Sequence, residues 1–286
     1  MLTDSLYSTP PPRDRADDLL RDYEGFLAAR NGEGGAWDRR EALMASLSAD
    51  PAPYRGHLDP VRFDRRYAGL ERGGAVDDAE LALLSFVKIN AGEAYGVEVT
   101  TAAREPRYAH RDEPLFRVER VLACEETYHT RLLLGATEHF EGIDVSGAWK
   151  PAWPLRLLIF CLAQFPPALF HPVLLGSEIA GVFSFNWLLS RLDTLFPDDP
   201  AVRESMARRL VEILVDEVGH IAFNRLALAG GGLPAVRPIA RAVLAGQEQM
   251  SPEMVALGFD ADARRAFERF DLRDLPEEVR RRAFFA

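Results

Sequence analysis

The sequence predicts an all-α protein with a four-helix bundle core and further helices at both ends. Three features of the 286-residue chain carry that expectation. Apolar residues return every three or four positions over long stretches, the period of a helix with one buried face. No stretch shows the strict alternation of a half-buried strand. The strongest breaks, such as 197–200 (Pro-Asp-Asp-Pro) and 230–232 (three glycines), fall between the helical stretches.

Residues 1–13 read as a flexible arm, because three prolines at 10–12 block both helix and sheet. The rest, 14–286, reads as a single helical domain with a bundle core at about 77–229. Asp14–Arg30 is helical, with Leu19, Leu20, Tyr23, Phe26 and Leu27 on one face. After a break at 31–35, a second helix covers Ala36–Ser48 and a third piece Val61–Leu70. Four long helices follow. Asp77–Ala103 opens with an acidic turn suited to the positive end of the helix dipole. Asp112–Phe140 ends before Glu141-Gly142, and Pro167–Phe196 stops at the next proline. Pro200–Ala229 has proline first and glycine last. At about 1.5 Å rise per residue each spans ~40 Å. Shorter helices fill Leu155–Phe165, Pro234–Gln249 and Asp260–Phe270, with a basic end at Glu277–Arg282.

Composition narrows the function classes. A net charge of −10 argues against nucleic acid or an anionic membrane surface as the main partner. Two isolated cysteines, Cys124 and Cys161, build neither a disulfide framework nor a zinc ribbon. The start has no basic region followed by an apolar one, so a cytoplasmic protein is expected. The most apolar region, Leu155–Leu189, is interrupted by Arg156, Pro166, Pro167, Pro172 and Glu178. No run in it reaches the ~20 residues of a membrane span, so it reads as buried helix.

Two strings carry the chemistry: Glu125-Glu126-Thr127-Tyr128-His129 and Asp216-Glu217-Val218-Gly219-His220. Each has an acid followed by Glu-x-x-His, and positions i and i+3 lie together on a helix face. Of the six histidines, only these two have a glutamate three residues before them. Leu122 and Leu133 flank the first string on its face, and Ile213 and Leu210 precede the second, so both faces turn inward. A four-helix bundle can hold two metal ions with one glutamate from each of two helices and Glu-x-x-His from each of the others. The chain offers that order: Glu93, Glu126 with His129, Glu178, then Glu217 with His220. Glu178 is the one acid between Asp144 and Asp193, and a lone buried carboxylate is costly unless paired or metal-bound. Glu93 is favoured on its helix, with Glu98 on the adjacent stripe as the alternative.

This ligand set resembles the ferritin-like di-iron carboxylate superfamily, over about Asp77 to Ala229. The inventory is nearest the acyl-carrier-protein desaturases. The p-aminobenzoate N-oxygenases are more distant, since their third histidine falls at Ile213 here. A ribonucleotide reductase radical tyrosine would fall at Leu133, and rubrerythrins need a cysteine-ligated iron. The resemblance implies that Asp216 orients His129 and that Glu125 orients His220, each accepting from the imidazole nitrogen turned away from the metal. It implies two iron ions, with manganese as the alternative. The chemistry is then dioxygen activation for hydroxylation, desaturation or N-oxygenation of a small apolar or aromatic molecule. Electrons would come from a separate reductase or ferredoxin, and a homodimer is the one candidate assembly. The rival from another class is a ferritin-like ferroxidase without an organic substrate. For a substrate pocket the candidates are His171, Tyr95 and Phe185, with Phe160, Phe165, Phe170, Phe183 and Trp187 as further channel residues or ordinary core. A satisfied structural histidine is the favoured reading of His171, and packing or hydrogen bonding behind the ligands that of Tyr95 and Tyr128.

Overall fold

Prolines and acidic caps set the starts of the long helices in the computed structural model, which describes residues 6, 12–33, 36–48, 53–71, 76–145, 150–229 and 233–286. Helix α4 (Asp78–Tyr108) is capped by Asp77, whose carboxylate accepts from Ala79 N–H at 2.7 Å. Helices α5 (Pro114–Leu134), α7 (Pro167–Leu189) and α9 (Pro200–Ala227) each begin on a proline, where a missing N–H costs nothing. Before α4 lie α1 (Arg13–Asn31), α2 (Asp38–Ser48) and α3 (Pro60–Tyr67). Helix α6 (Trp153–Ala163) links α5 to α7, and the four-residue α8 (Leu192–Leu195) precedes α9. The chain closes with α10 (Leu233–Met250), α11 (Pro252–Ala256), α12 (Ala261–Phe267) and α13 (Glu277–Arg282). No strand occurs among the described residues.

Three long helices differ from the sequence reading at their ends. Helix α4 runs past Ala103 and tolerates Pro106, because Arg104 and Tyr108 beyond are buried anchors. Helix α5 stops at Leu134 and continues to His139 as a 3-10 helix; the guanidinium of Arg209 packs on Gly135 and competes for the Leu132 carbonyl. Helix α7 ends at Leu189 instead of Phe196. There Ser190 Oγ donates to the Trp187 carbonyl, and the N–H of Arg191 bonds three residues back to Leu188. Of residues 1–11, where the sequence suggests a flexible arm, only Leu6 is described; it is buried, and its carbonyl accepts from Arg225 Nη1 at 2.8 Å.

Helix α7 packs on α9, α9 on α5, and α5 on α4, while α4 and α7 are not closely packed. The gap between these two is walled by α6 and α10 and holds the cavity described below. Helix α10 lies tightly on α7 at Gly176, where a Cβ would meet the backbone nitrogen of Ala240 at 3.0 Å. One apolar cluster fills the body of the helical array, and a second lies under α1, around Leu20, Tyr23, Leu122 and Phe223. Burying a leucine or phenylalanine is worth about 1.5–3 kcal/mol, so α1 is fixed to α5 and α9 by packing as well as by charge. Helix α7 is the one described helix long and apolar enough to cross a bilayer, but most of that stretch is buried inside the protein. Helix α6 differs: Trp153, Leu157 and Phe160 are exposed.

Candidate metal centre

Each Glu-x-x-His string lies in mid-helix, so its glutamate and histidine project from one face toward the facing helix. Helices α5 and α9 pack together there, and the imidazoles of His129 and His220 stack with ring centroids 5.5 Å apart. One oxygen each of Glu126, Glu178 and Glu217 and one nitrogen of His220 lie within 4.8 Å of one another. His129 adjoins this group through Nδ1, 3.3 Å from Glu126 Oε2 and 3.2 Å from Glu217 Oε1. His220 Nδ1 is 3.0 Å from Glu126 Oε1. Glu93 belongs to the same cluster from α4, where Glu217 and Glu126 are the charges that act on it most strongly. Glu98, its alternative, is exposed.

The far nitrogens of the two imidazoles turn the other way. His129 Nε2 is 3.1 Å from Asp216 Oδ2 on α9, and His220 Nε2 is 3.1 Å from Glu125 Oε2 on α5. Each acid thus supports the histidine of the opposite helix. Behind them stand three residues that the sequence reading did not single out. Arg40 Nη2 donates to both Glu125 (2.8 Å) and Asp216 (2.6 Å), and its Nε donates to Asn31 Oδ1 (2.6 Å). Asn31 Nδ2 donates to Glu125 Oε1 at 2.9 Å. Arg30 Nε donates to Asp216, and its Nη2 to Glu212 Oε2 at 2.9 Å. These side chains come from α1 and α2, which carry no motif. No local pattern in those helices flags them.

The charges set the proton affinities. Burial raises the pKa of Glu93 well above the carboxylate range, and repulsion from Glu217 and Glu126 adds to it. Glu178 is raised in the same way, by burial and then by Glu217. Burial alone would raise Asp216, but Arg30 and Arg40 outweigh it and hold the carboxyl well below its usual value. Burial would lower both imidazoles; Asp216 and Glu126 around His129, and Glu125 and Glu126 around His220, reverse this and raise them.

Orphaned atoms test whether the site fits metal ions. Glu93 Oε2 and Glu217 Oε2 are buried without a hydrogen-bond partner, and the buried Nδ1 atoms of both histidines, though 3.0–3.3 Å from glutamate oxygens, make no well-directed hydrogen bond to them. Buried polar atoms are nearly always paired, and these four belong to metal-ligating residue types in one cluster. Six carboxylates stand here (Glu93, Glu125, Glu126, Glu178, Asp216 and Glu217) against the two guanidinium groups of Arg30 and Arg40. Fully deprotonated, as metal binding would require, the set would carry four negative charges beyond the two arginines, the complement of two divalent cations; without metal, protons on the raised groups take their place. A Glu/His group able to hold a metal ion is therefore present, and its donor set fits.

A cavity of about 530 Å³ adjoins the cluster. Glu93, Glu126, Glu178, Glu217 and His220 form part of its wall, and most of the rest is aliphatic, from α4, α6, α7 and α10. The three pocket candidates from the sequence do not line it. Phe185 is fully buried in the core. His171 is buried behind Phe170, its Nδ1 2.9 Å from Asn224 Oδ1. Tyr95 lies under the guanidinium of Arg156, 5.5 Å from its ring centroid. Among the proposed channel aromatics only Phe170 faces the cavity; Phe183 and Trp187 pack on Phe259, while Phe160 and Phe165 are exposed. Tyr128 points away as well, donating to Glu41 Oε1 at 2.6 Å. The sequence reading missed Arg104 and Glu119, which line the cavity on the stripes of Glu93 and Glu126. Helical spacing from those glutamates, seven residues for Glu119 and eleven for Arg104, was the available signal.

Gly219, inside the second string, lets α1 approach: a Cβ there would meet Tyr23 Oη at 2.6 Å. No protein-family model, curated protein or solved structure matches this chain.

Proposed function

We propose that the chain is a ferritin-like di-iron protein that uses dioxygen to oxidise a small, largely apolar organic molecule. On this reading Glu93, Glu126 and His129 hold one ion, and Glu178, Glu217 and His220 hold the other. One observation carries the reading: ligand-type side chains from four long helices converge beside a mostly apolar cavity, with buried unpartnered atoms on three of those helices. Iron bound there supplies reductive activation of dioxygen, and carboxylate oxygens favour its ferric form. Manganese suits the same donors.

The chain's own residues have definite tasks in this chemistry. Asp216 and Glu125 accept the Nε2 protons of His129 and His220, which fixes each tautomer with Nδ1 free for a metal. Arg40 holds both acids in place with one nitrogen. The aliphatic cavity wall excludes water and positions the substrate next to the glutamates. Electrons come from a separate reductase or ferredoxin.

Anaerobic Fe(II) loading followed by metal analysis and Mössbauer spectroscopy tests this. The expected result is two coupled irons per chain. A content below about one iron per chain would overturn the di-metal reading. Two irons with rapid oxygen consumption, unaffected by any organic molecule that occupies the cavity, would mark a ferroxidase instead.

A further inference from the structure

The cavity has two polar ends. One is the carboxylate and imidazole cluster. The other lies further along the same helix faces, where Arg104 of α4 meets Glu119 of α5 through an Nε···Oε1 contact of 2.6 Å. Helices α4 and α5 form an antiparallel hairpin, so a residue after Glu93 and a residue before Glu126 reach the same level. On α4 the lining stripe runs Glu93, Val97, Thr100, Arg104; on α5 it runs back from Glu126 through Leu122 to Glu119. Phe170 of α7 stands at that far end, with the Arg104 guanidinium 3.9 Å from its ring centroid. At about 1.5 Å per residue, eleven residues of α4 and seven of α5 separate the two ends by roughly 10–16 Å.

The far end is built and unfinished. Arg104 is only 4% exposed and is held by both Glu119 and Phe170. Glu119 Oε2 is buried without a hydrogen-bond partner. Among the described residues the terminal nitrogens of Arg104 have no partner either. A free acceptor therefore sits beside free donors, on the wall of a cavity, and the two charges already neutralise each other. A charged ligand group would bring an uncompensated charge into this wall. A carboxylate would face Glu119, and an ammonium would face Arg104. A neutral group that donates one hydrogen bond and accepts another completes both.

We propose that Arg104 and Glu119 form a head-group subsite that takes the alcohol or primary amide end of an otherwise aliphatic molecule. With carbon–carbon bonds of about 1.5 Å in a zigzag, a chain of roughly eight to ten carbons spans the distance to the glutamate cluster. Such a molecule fits within 530 Å³. The far end of the chain, placed beside the cluster, is the part to be oxidised; that half rests on the proposed function, whereas the head-group subsite stands on its own geometry.

Calorimetric titration of the metal-loaded full chain with octanamide, octan-1-ol, octanoate and octylammonium tests the subsite. The amide and the alcohol should bind at least tenfold more tightly than either ion. Shortening the amide should weaken binding by about fourfold per methylene. Glu119→Gln leaves the Arg104 charge uncompensated and should turn the preference toward octanoate. Arg104→Gln leaves Glu119 uncompensated and should turn it toward octylammonium, so either variant suffices if the other fails to fold. Equal affinities for all four ligands, or rankings unchanged in a folded variant, would reduce the pair to a tie between α4 and α5. Metal content measured on the same samples separates the two ideas. Wild-type protein without two metals overturns the di-metal reading alone, and a wrong ranking with both metals present overturns the subsite alone.

Discussion

The acids in front of the histidines and the acids behind them are the same residue types in the same core, treated in opposite ways. Behind the imidazoles, Glu125 and Asp216 receive hydrogen bonds from Arg30, Arg40 and Asn31 as well as from the rings. In front, Glu93, Glu126, Glu178 and Glu217 meet no arginine or lysine among the described residues, and two of their oxygens are orphaned. The protein supplies its own counter-charges to one set and leaves the other to an outside cation. A buried carboxylate left without one costs several kcal/mol, so the front set marks where external positive charge belongs.

Removing a front acid should have the largest effect. Glu178→Ala is expected to abolish dinuclear metal binding while the fold persists; metal analysis with circular dichroism checks both. In the metal-free state the same change should raise the unfolding temperature at neutral and alkaline pH, since it deletes a buried carboxyl that is accommodated only by keeping a proton. Retained two-metal occupancy would break the contrast. Removing a counter-charge from the back set comes next. Arg40→Met leaves Glu125 and Asp216 short of a partner and should cost about 3–5 kcal/mol in denaturant unfolding, with or without metal. A loss seen only in the metal-loaded form would mean that Arg40 serves the ions and not the fold.

The dependence on pH is a smaller effect, and its sign is fixed. Glu93, Glu178, His129 and His220 all have raised pKa values in the folded, metal-free chain. The folded state then keeps protons that the unfolded state releases, so their stability is full at low pH and is lost as pH rises through each raised value. Asp216, held low, acts oppositely: its contribution is present above its ordinary value of 3.8 and disappears on acidification through the lowered one. Thermal unfolding of the metal-free chain should therefore fall from mildly acidic to alkaline pH. Metal should reverse that trend, because ligands bind it deprotonated. An unfolding temperature that rises with pH in the absence of metal would count against the buried cluster. The smallest change belongs to Glu98→Gln. This exposed acid lies one turn beyond Glu93, and its loss should leave metal content unaltered.

Much of this was legible in the sequence, for identifiable reasons. The long helices announce themselves through proline starts and apolar period. That Glu126, Glu178, Glu217 and His220 meet follows from the spacing of the two strings and from the isolation of Glu178 in an apolar helix. Which face of α7 fronts the cavity was not legible. That helix is apolar all round, so its period does not separate Phe170 and Glu178 from Phe185 and His171. Arg40 was hidden for another reason. It lies among ordinary surface-like charges, Arg39 and Glu41, and its partners are distant in the chain. Local pattern says nothing about a contact of that separation.

The single nitrogen of Arg40 that reaches both Glu125 and Asp216 also has a consequence in time. Helices α1 and α2 carry guanidinium groups whose partner, Asp216, is made 176 residues after Arg40 and 186 after Arg30. These two helices must wait for α9 before that contact can form. Residues made well before α9 are thus the ones that complete the support of His129.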